Sequence, residues 1–155
     1  IDVIALTILT QMDTHAEYGG VGNGLTTLDV AAFRKCISLK EITIPDSCTV
    51  IGNNVFEGCE NLATVDLGAG VTLIGEEGFA GCALQELTIP DSVTSIGEWA
   101  FDGCSSLPVL EIGNCIRHIK MQHIARYREI KYIYFHPVPY ILTTGVTMRY
   151  VCMTK

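Results

Sequence analysis

The chain has 155 residues, 48% hydrophobic and 17% charged, which is enough apolar material for one packed core and excludes an intrinsically disordered chain. No apolar stretch approaches the roughly 20 residues of a membrane-spanning helix, so no membrane insertion is predicted. The net charge is −7. Residues 1–114 contain 3 Lys/Arg and 16 Asp/Glu, whereas residues 115–155 contain 7 Lys/Arg and 1 Asp/Glu. The overall acidic balance disfavours nucleic acid as a partner.

The first element in chain order is an apolar segment, residues 1–9, whose spacing predicts a terminal strand. A glycine-rich run follows it. Because the chain opens on Ile1 rather than Met, we expect it to be a piece of a longer protein.

From Leu25 onward the sequence repeats with a period of 23 residues, most clearly at a phenylalanine column and a cysteine column. These columns comprise Phe33, Phe56, Phe79 and Phe101, and Cys36, Cys59, Cys82 and Cys104. The single interval of 22 residues follows Cys82, where Cys-x-x-Leu is shortened to Cys-Ala-Leu. A period of this length predicts a solenoid in which each repeat buries its apolar face against its neighbours.

Each repeat contains two extended segments separated by a turn. The first alternates apolar and polar residues, as in Leu39, Ile42 and Ile44, and ends at Pro-Asp-Ser or Gly-Ala-Gly turn residues. The second is shorter and ends in Ile-Gly. The glycines at its end do not form a phosphate-binding loop, because no Lys-Ser/Thr follows them, and we interpret them as backbone bends: Gly52, Gly75 and Gly97.

Residues 107–135 keep the 23-residue spacing of apolar residues while losing the Gly, Phe and Cys columns. Residues 116–130 also fit an amphipathic helix, so a degenerate repeat and a capping helix both remain open. We predict a single repeat domain over residues 1–155. Residues 1–24 form an N-terminal cap or degenerate repeat, 25–112 the regular repeats, and 113–155 a degenerate repeat and C-terminal cap.

The segment IPDSVTSIGEWAFDGCSSL, residues 89–107, resembles the repeat LxxIxIPxxVxxIGxxAFxxC of the BspA-like leucine-rich repeat family. The resemblance implies a right-handed, β-rich α/β solenoid with parallel strands on its concave side and short helical or irregular turns on its convex side. The Asn/Cys position of general leucine-rich repeats is occupied here by Ser47, Gly70 and Ser92. We therefore expect the Phe and Cys columns to order the interior in place of an asparagine ladder.

The chemistry-bearing residues predict no catalytic or metal site and no cofactor. Evenly spaced thiols in adjacent coils lie about 4.8 Å apart, but parallel side chains do not reach the disulfide dihedral, so the column cysteines are interpreted as buried hydrophobes. His118 and His123 lack the spacing of a helical metal pair. The basic residues after position 114 are interpreted as a solvated face or partner contact.

The remaining candidate is the outward side of the long strands, which we call the ribbon. Its members are Glu41, Thr43, Thr64, Asp66, Glu86, Thr88, Val109, Glu111, Tyr132 and Tyr134. Five strands span about 20–25 Å, which suits a peptide or protein loop as partner. A merely solvated polar face is the alternative.

The resemblance implies a non-catalytic protein-binding or adhesion module of a larger cell-surface or secreted protein. The alternative is a structural spacer, a repeat array without a ligand of its own. The identity of a partner and the oligomeric state are not encoded in any motif of the chain.

Overall fold

The computed structural model describes residues 24–113, 132–135 and 140–143, in which the extended segments of each repeat form the strands. In chain order these are β1 Thr27–Leu28, β2 Glu41–Ile44, β3 Val50–Ile51, β4 Thr64–Leu67, β5 Leu73–Ile74, β6 Thr88–Ile89, β7 Ser95–Ile96, β8 Val109–Ile112, β9 Tyr132–Phe135 and β10 Tyr140–Thr143. The described ranges contain strands and turns but no helix, and hence none that could cross a membrane.

The strands stack into two sets, one per extended segment of the repeat. The short strands form one parallel sheet in the order β1-β3-β5-β7. The long strands form the pair β2-β4 and the sheet β6-β8-β9-β10, parallel except that β10 runs antiparallel to β9. Every parallel pair joins residues 23 apart, except β5 with β7, where they are 22 apart. The chain is therefore a leucine-rich-repeat-like solenoid that advances by one repeat per coil, as predicted.

The set of long strands is interrupted between β4 and β6. The two strands are adjacent, and the amide of Gln85 donates to the carbonyl of Ala63 at 3.2 Å, but they share no strand ladder. β6 has two residues where β2, β4 and β8 have four. The interruption follows the one-residue deletion after Cys82, because the shortened loop leaves residues 85–87 outside strand geometry.

The phenylalanine column forms a continuous stack of rings through the interior. Ring centroids of successive residues lie 5.4, 5.1 and 5.7 Å apart, with interplanar angles of 16°, 14° and 6°. Phe56, Phe79 and Phe101 are fully buried. Offset aromatic stacking adds to the free energy of burying the rings, so this column joins each coil to the next.

The cysteine column joins each coil to the preceding one by hydrogen bonds. The thiol of Cys59 donates to the carbonyl of Phe33 at 3.0 Å, that of Cys82 to Phe56 at 3.2 Å, and that of Cys104 to Phe79 at 3.1 Å. All five cysteines within the described ranges are buried thiols, including Cys48, and no disulfide joins them. The Phe and Cys columns therefore lie in the interior, where they contact the neighbouring coil.

Gly52, Gly75 and Gly97 lie where each short strand passes into the following turn, and none of the three has a positive φ. They are required by close stacking of the coils. A Cβ on Gly75 would lie 2.5 Å from the carbonyl carbon of Gly52 and 2.6 Å from the amide nitrogen of Asn53. The positive φ values fall on two other columns, Ala31, Asn54, Glu77 and Trp99, and Lys35, Gly58, Gly81 and Gly103.

A threonine column that the sequence analysis did not identify also joins the coils. The amide and hydroxyl of Thr72 both donate to the carbonyl of Thr49, at 2.8 and 3.0 Å. Thr49 donates to Thr26, and Thr94 to Thr72, in the same way. The sequence shows this column as the pattern Thr-x-Ile-Gly, which becomes Thr-x-Leu-Asp at Thr26.

Several predicted features lie outside the described residues: the terminal strand at residues 1–9, the two interpretations of residues 116–130, His118 and His123. Strand β9 is described, and it pairs with β8 at the predicted 23-residue spacing.

Candidate functional site

The ribbon occupies the outward side of the long strands, where the alternation of each strand places it. In β2 and β4 the pattern is exposed, buried, exposed, buried, so Glu41, Thr43, Thr64 and Asp66 face away from the core. Glu86 and Thr88 are exposed as well, while Val109 and Glu111 are half-buried. The alternation of inward and outward positions expected from the sequence is therefore present in these strands.

The strand register arranges the ribbon in two rows that cross the strands. Glu41 lies beside Thr64 in one row, and Thr43 lies beside Asp66 in the other. Thr88 lies beside Glu111, and its hydroxyl donates to the Glu111 carboxylate at 3.4 Å. The hydrogen bond between Gln85 and Ala63 keeps the two halves of the ribbon adjacent across the interruption.

Strand β9 extends both rows by register. Its backbone pairing places Tyr132 beside Val109 and Tyr134 beside Glu111. The structure describes β9 by its backbone pairing only, so the two tyrosines are assigned to the ribbon by their strand positions.

The ribbon is acidic, like the part of the chain around it. Residues 24–113 contain 3 Lys/Arg and 13 Asp/Glu, and the ribbon positions within them include four carboxylates and no basic residue. A face of this kind attracts cationic groups from solution and repels anionic ones, and salt weakens both effects.

The described ion pair lies elsewhere, in the turns after the short strands. Arg34 contacts both carboxylate oxygens of Glu57, at 2.8 and 2.9 Å, and Asn54 donates to Glu57 at 2.9 Å. The Arg34 hydrogen bond holds the pKa of Glu57 below its usual value. Arg34, Asn54 and Glu57 thus contact one another at the surface of the turns.

The buried thiols are unsuited to nucleophilic chemistry. Burial raises the pKa of Cys82, with smaller contributions from Cys104 and Cys59, and burial also raises the pKa of Cys48. The thiolate is the nucleophilic form, so a raised pKa and a buried sulfur both suppress reactivity. In the part of the chain that is described, no group of three or more His, Cys, Asp or Glu residues is placed to hold a metal ion.

Comparison with known proteins gives a consistent result for the fold. The pattern of one protein family, described as the BspA type leucine rich repeat region, matches in six copies over residues 26–143. No protein of curated function matches the sequence.

Solved structures that resemble the chain include two leucine-rich repeat proteins. A leucine-rich repeat protein of T. pallidum shares 27% identity at a TM-score of 0.63, and the match covers 70% of this chain and 51% of that one. A leucine rich cell surface protein from Faecalibacterium prausnitzii shares 31% identity at a TM-score of 0.56, covering 75% of this chain and 27% of that one. The chain thus spans about half of the first protein and about a quarter of the second.

Proposed function

The chain belongs to the BspA-type leucine-rich repeat family, and from this premise we propose that it is a non-catalytic protein-binding or adhesion module of a larger cell-surface or secreted protein. Repeat architecture supplies a scaffold, so the function has to be argued from the displayed surface. The ribbon is the face through which we propose that the module contacts a protein or peptide partner.

The single observation that carries this proposal is that the inward residues of each long strand form the core, whereas the outward residues do not. Inward residues such as Ile42, Val65 and Leu87 are buried in the core. The outward residues between them are polar and exposed in β2, β4 and β6, and they form no part of the stacked columns. Side chains that the fold does not require are available for recognition.

The proposed location at a cell surface is supported by a relative. The Faecalibacterium prausnitzii protein is a cell surface protein, and this chain corresponds to about a quarter of its length. Adhesion, in which a surface protein engages a neighbouring or host cell, is the role that we propose for such a module.

A binding experiment with charge-reversed variants tests the proposal. Purified extracellular proteins are screened as an array, and every hit is titrated with the wild type and with Glu86→Lys/Glu111→Lys. Glu60→Lys/Glu76→Lys is the matched control, because both residues are exposed and lie outside the ribbon. The ribbon variant is expected to weaken binding at least about tenfold, since several favourable charge contacts become repulsive.

Two outcomes would contradict the proposal. Hits that tolerate the ribbon variant but not the control would place the binding face elsewhere. An array without any hit would favour the spacer alternative, in which the coils only separate other parts of a longer protein.

A further inference from the structure

The interruption between β4 and β6 lies on the ribbon side of the solenoid. On this side β2 and β4 form one hydrogen-bonded block, and β6, β8, β9 and β10 form another. The amide of Gln85 donates to the carbonyl of Ala63 at 3.2 Å, which joins the edges of the two blocks without a strand ladder. The interruption therefore divides the ribbon into two halves, one on each block.

The short strands of the same two coils form a continuous ladder. Strand β5 pairs with β7, and the amide of Gly97 donates to the carbonyl of Ile74 at 2.7 Å. The amide and the hydroxyl of Thr94 both donate to the carbonyl of Thr72, at 2.9 and 3.2 Å. The coil of β4 and β5 is thus joined to the coil of β6 and β7 along the short strands.

The turns that follow the short strands join these coils a second time. The amide of Phe79 donates to the carbonyl of Ala100 at 2.8 Å, and the rings of Phe79 and Phe101 stack with their centroids 5.7 Å apart. The thiol of Cys104 donates to the carbonyl of Phe79 at 3.1 Å. Two coils that are joined along the short strands and the turns, but not by a ladder along the long strands, have the construction of a hinge.

The position of this interruption is set by the length of one loop. The other three column cysteines are followed by two residues before the next leucine, whereas Cys82 is followed by Ala83 alone. Residues 85–87 then lie outside strand geometry, and β6 keeps two residues. Regions held by fewer contacts open more readily than the rest of a fold, so the ribbon side of this boundary is the place where the stack is most easily opened.

We propose that the boundary between β4 and β6 is a hinge, at which the two halves of the ribbon move relative to each other while the short strands and turns stay joined. The halves are Glu41, Thr43, Thr64 and Asp66 on one side and Glu86, Thr88, Val109 and Glu111 on the other. Collective hinge motions occur on the microsecond-to-millisecond timescale. A partner that contacts both halves would select one position of the hinge. The hinge itself does not depend on what the ribbon binds, so its failure would leave the proposed function as it stands.

Relaxation-dispersion NMR of the methyl groups in the whole 155-residue chain tests the hinge. The methyl groups of Leu67 and Ile89, on the two sides of the interruption, are expected to show microsecond-to-millisecond exchange. Those of Ile74 and Ile96, in the short strands of the same coils, are expected to show none. All four side chains are buried, so a contrast between the pairs does not arise from solvent exposure.

Two reciprocal loop variants relate the motion to loop length. Insertion of one serine between Ala83 and Leu84 restores the regular loop and is expected to abolish the exchange at Leu67 and Ile89. Deletion of Ser106 shortens the next loop in the same way and is expected to produce new exchange at Ile112, because the ladder between β6 and β8 would be interrupted in turn.

The wild type alone decides between motion and rigidity, so a variant that fails to fold leaves the test intact. Absence of exchange at Leu67 and Ile89 would show that the interruption is rigid and would overturn the proposal. Equal exchange at Ile74 and Ile96 would show that the coils separate as a whole, which also contradicts a hinge. Exchange that persists after the serine insertion would reject the shortened loop as its origin.

Discussion

Single residues of the repeat are held in place by the equivalent residues of neighbouring coils. Each ring of the phenylalanine column stacks on the next, and the thiols of Cys59, Cys82 and Cys104 each donate to a phenylalanine carbonyl of the preceding coil. The sequence predicted that these residues are inward. It did not predict the direction of the thiol hydrogen bonds, because a column of buried cysteines is equally compatible with simple packing.

Replacing Phe79 by alanine tests the aromatic stack. The ring lies between Phe56 and Phe101 and is fully buried, so Phe79→Ala is expected to lower the free energy of unfolding by about 3–5 kcal/mol. Urea denaturation measures this loss. Glu60→Ala is the control, because Glu60 is exposed. Glu77 is less suitable as a control, because it accepts a hydrogen bond from Asn54. Superimposable denaturation curves for the two variants would contradict the alignment of repeats that places Phe79 in the core.

The buried thiol of Cys82 predicts a dependence of stability on pH. The pKa of this thiol is higher in the folded chain than in the unfolded chain. Its contribution to the free energy of unfolding is therefore complete below the ordinary thiol pKa of about 8.5. Above that pH the unfolded chain releases a proton that the folded chain retains. The free energy of unfolding should then fall by about 1.4 kcal/mol per pH unit from this group.

Urea denaturation of the reduced protein across this alkaline range measures the slope. Cys82→Ala lacks the titrating group and is expected to show a slope shallower by that amount. An identical slope in the variant would show that Cys82 titrates normally in the folded chain.

At the level of elements, coil spacing decides which residues are tolerated. Strands β3, β5 and β7 lead into glycines over which the preceding coil passes closely. The long strands keep their register where the loops keep their length, and the ladder between β4 and β6 is lost where one residue is deleted.

Gly75→Ala tests this close approach. At an unconstrained position, Gly→Ala stabilises a protein by restricting the unfolded chain. Here the added Cβ would meet backbone atoms at 2.5–2.6 Å, so we expect destabilisation by about 1–3 kcal/mol. The neighbouring Glu76→Ala is the control in the same denaturation experiment. A gain in stability from Gly75→Ala would show that the coils stand further apart.

Element existence and register were largely predictable from the sequence, and local backbone detail was not. The alternation of strands such as Glu41–Ile44 and the 23-residue period fix which side chains face inward. The close approach at Gly75 and the hydrogen bond from the amide of the left-handed Asn54 to the carbonyl of Glu76 are contacts between neighbouring coils, about 23 residues apart in sequence. The ribbon could be predicted as a set of positions, but which of its residues lie side by side needed the observed register.

On the scale of the whole molecule, the residues that form the core are distinct from those that we propose bind a partner. The inward columns form one continuous core from Leu28 to Ile112, without a buried charged residue in the described part. The outward ribbon runs across the long strands and contributes little to that core. We propose that residues 113–155 close the array, since β10 pairs antiparallel with β9 and ends the parallel progression.

A deep substitution scan of the displayed chain, with protease resistance as the readout of folding, tests this separation most directly. We expect substitutions at Glu41, Thr43, Thr64, Asp66, Glu86 and Thr88 to leave protease resistance close to that of the wild type. Substitutions in the Phe, Cys and inward aliphatic columns should abolish it, because each removes contacts with two neighbouring coils. Equal sensitivity of ribbon and column positions would contradict the claim that the fold leaves the ribbon for recognition.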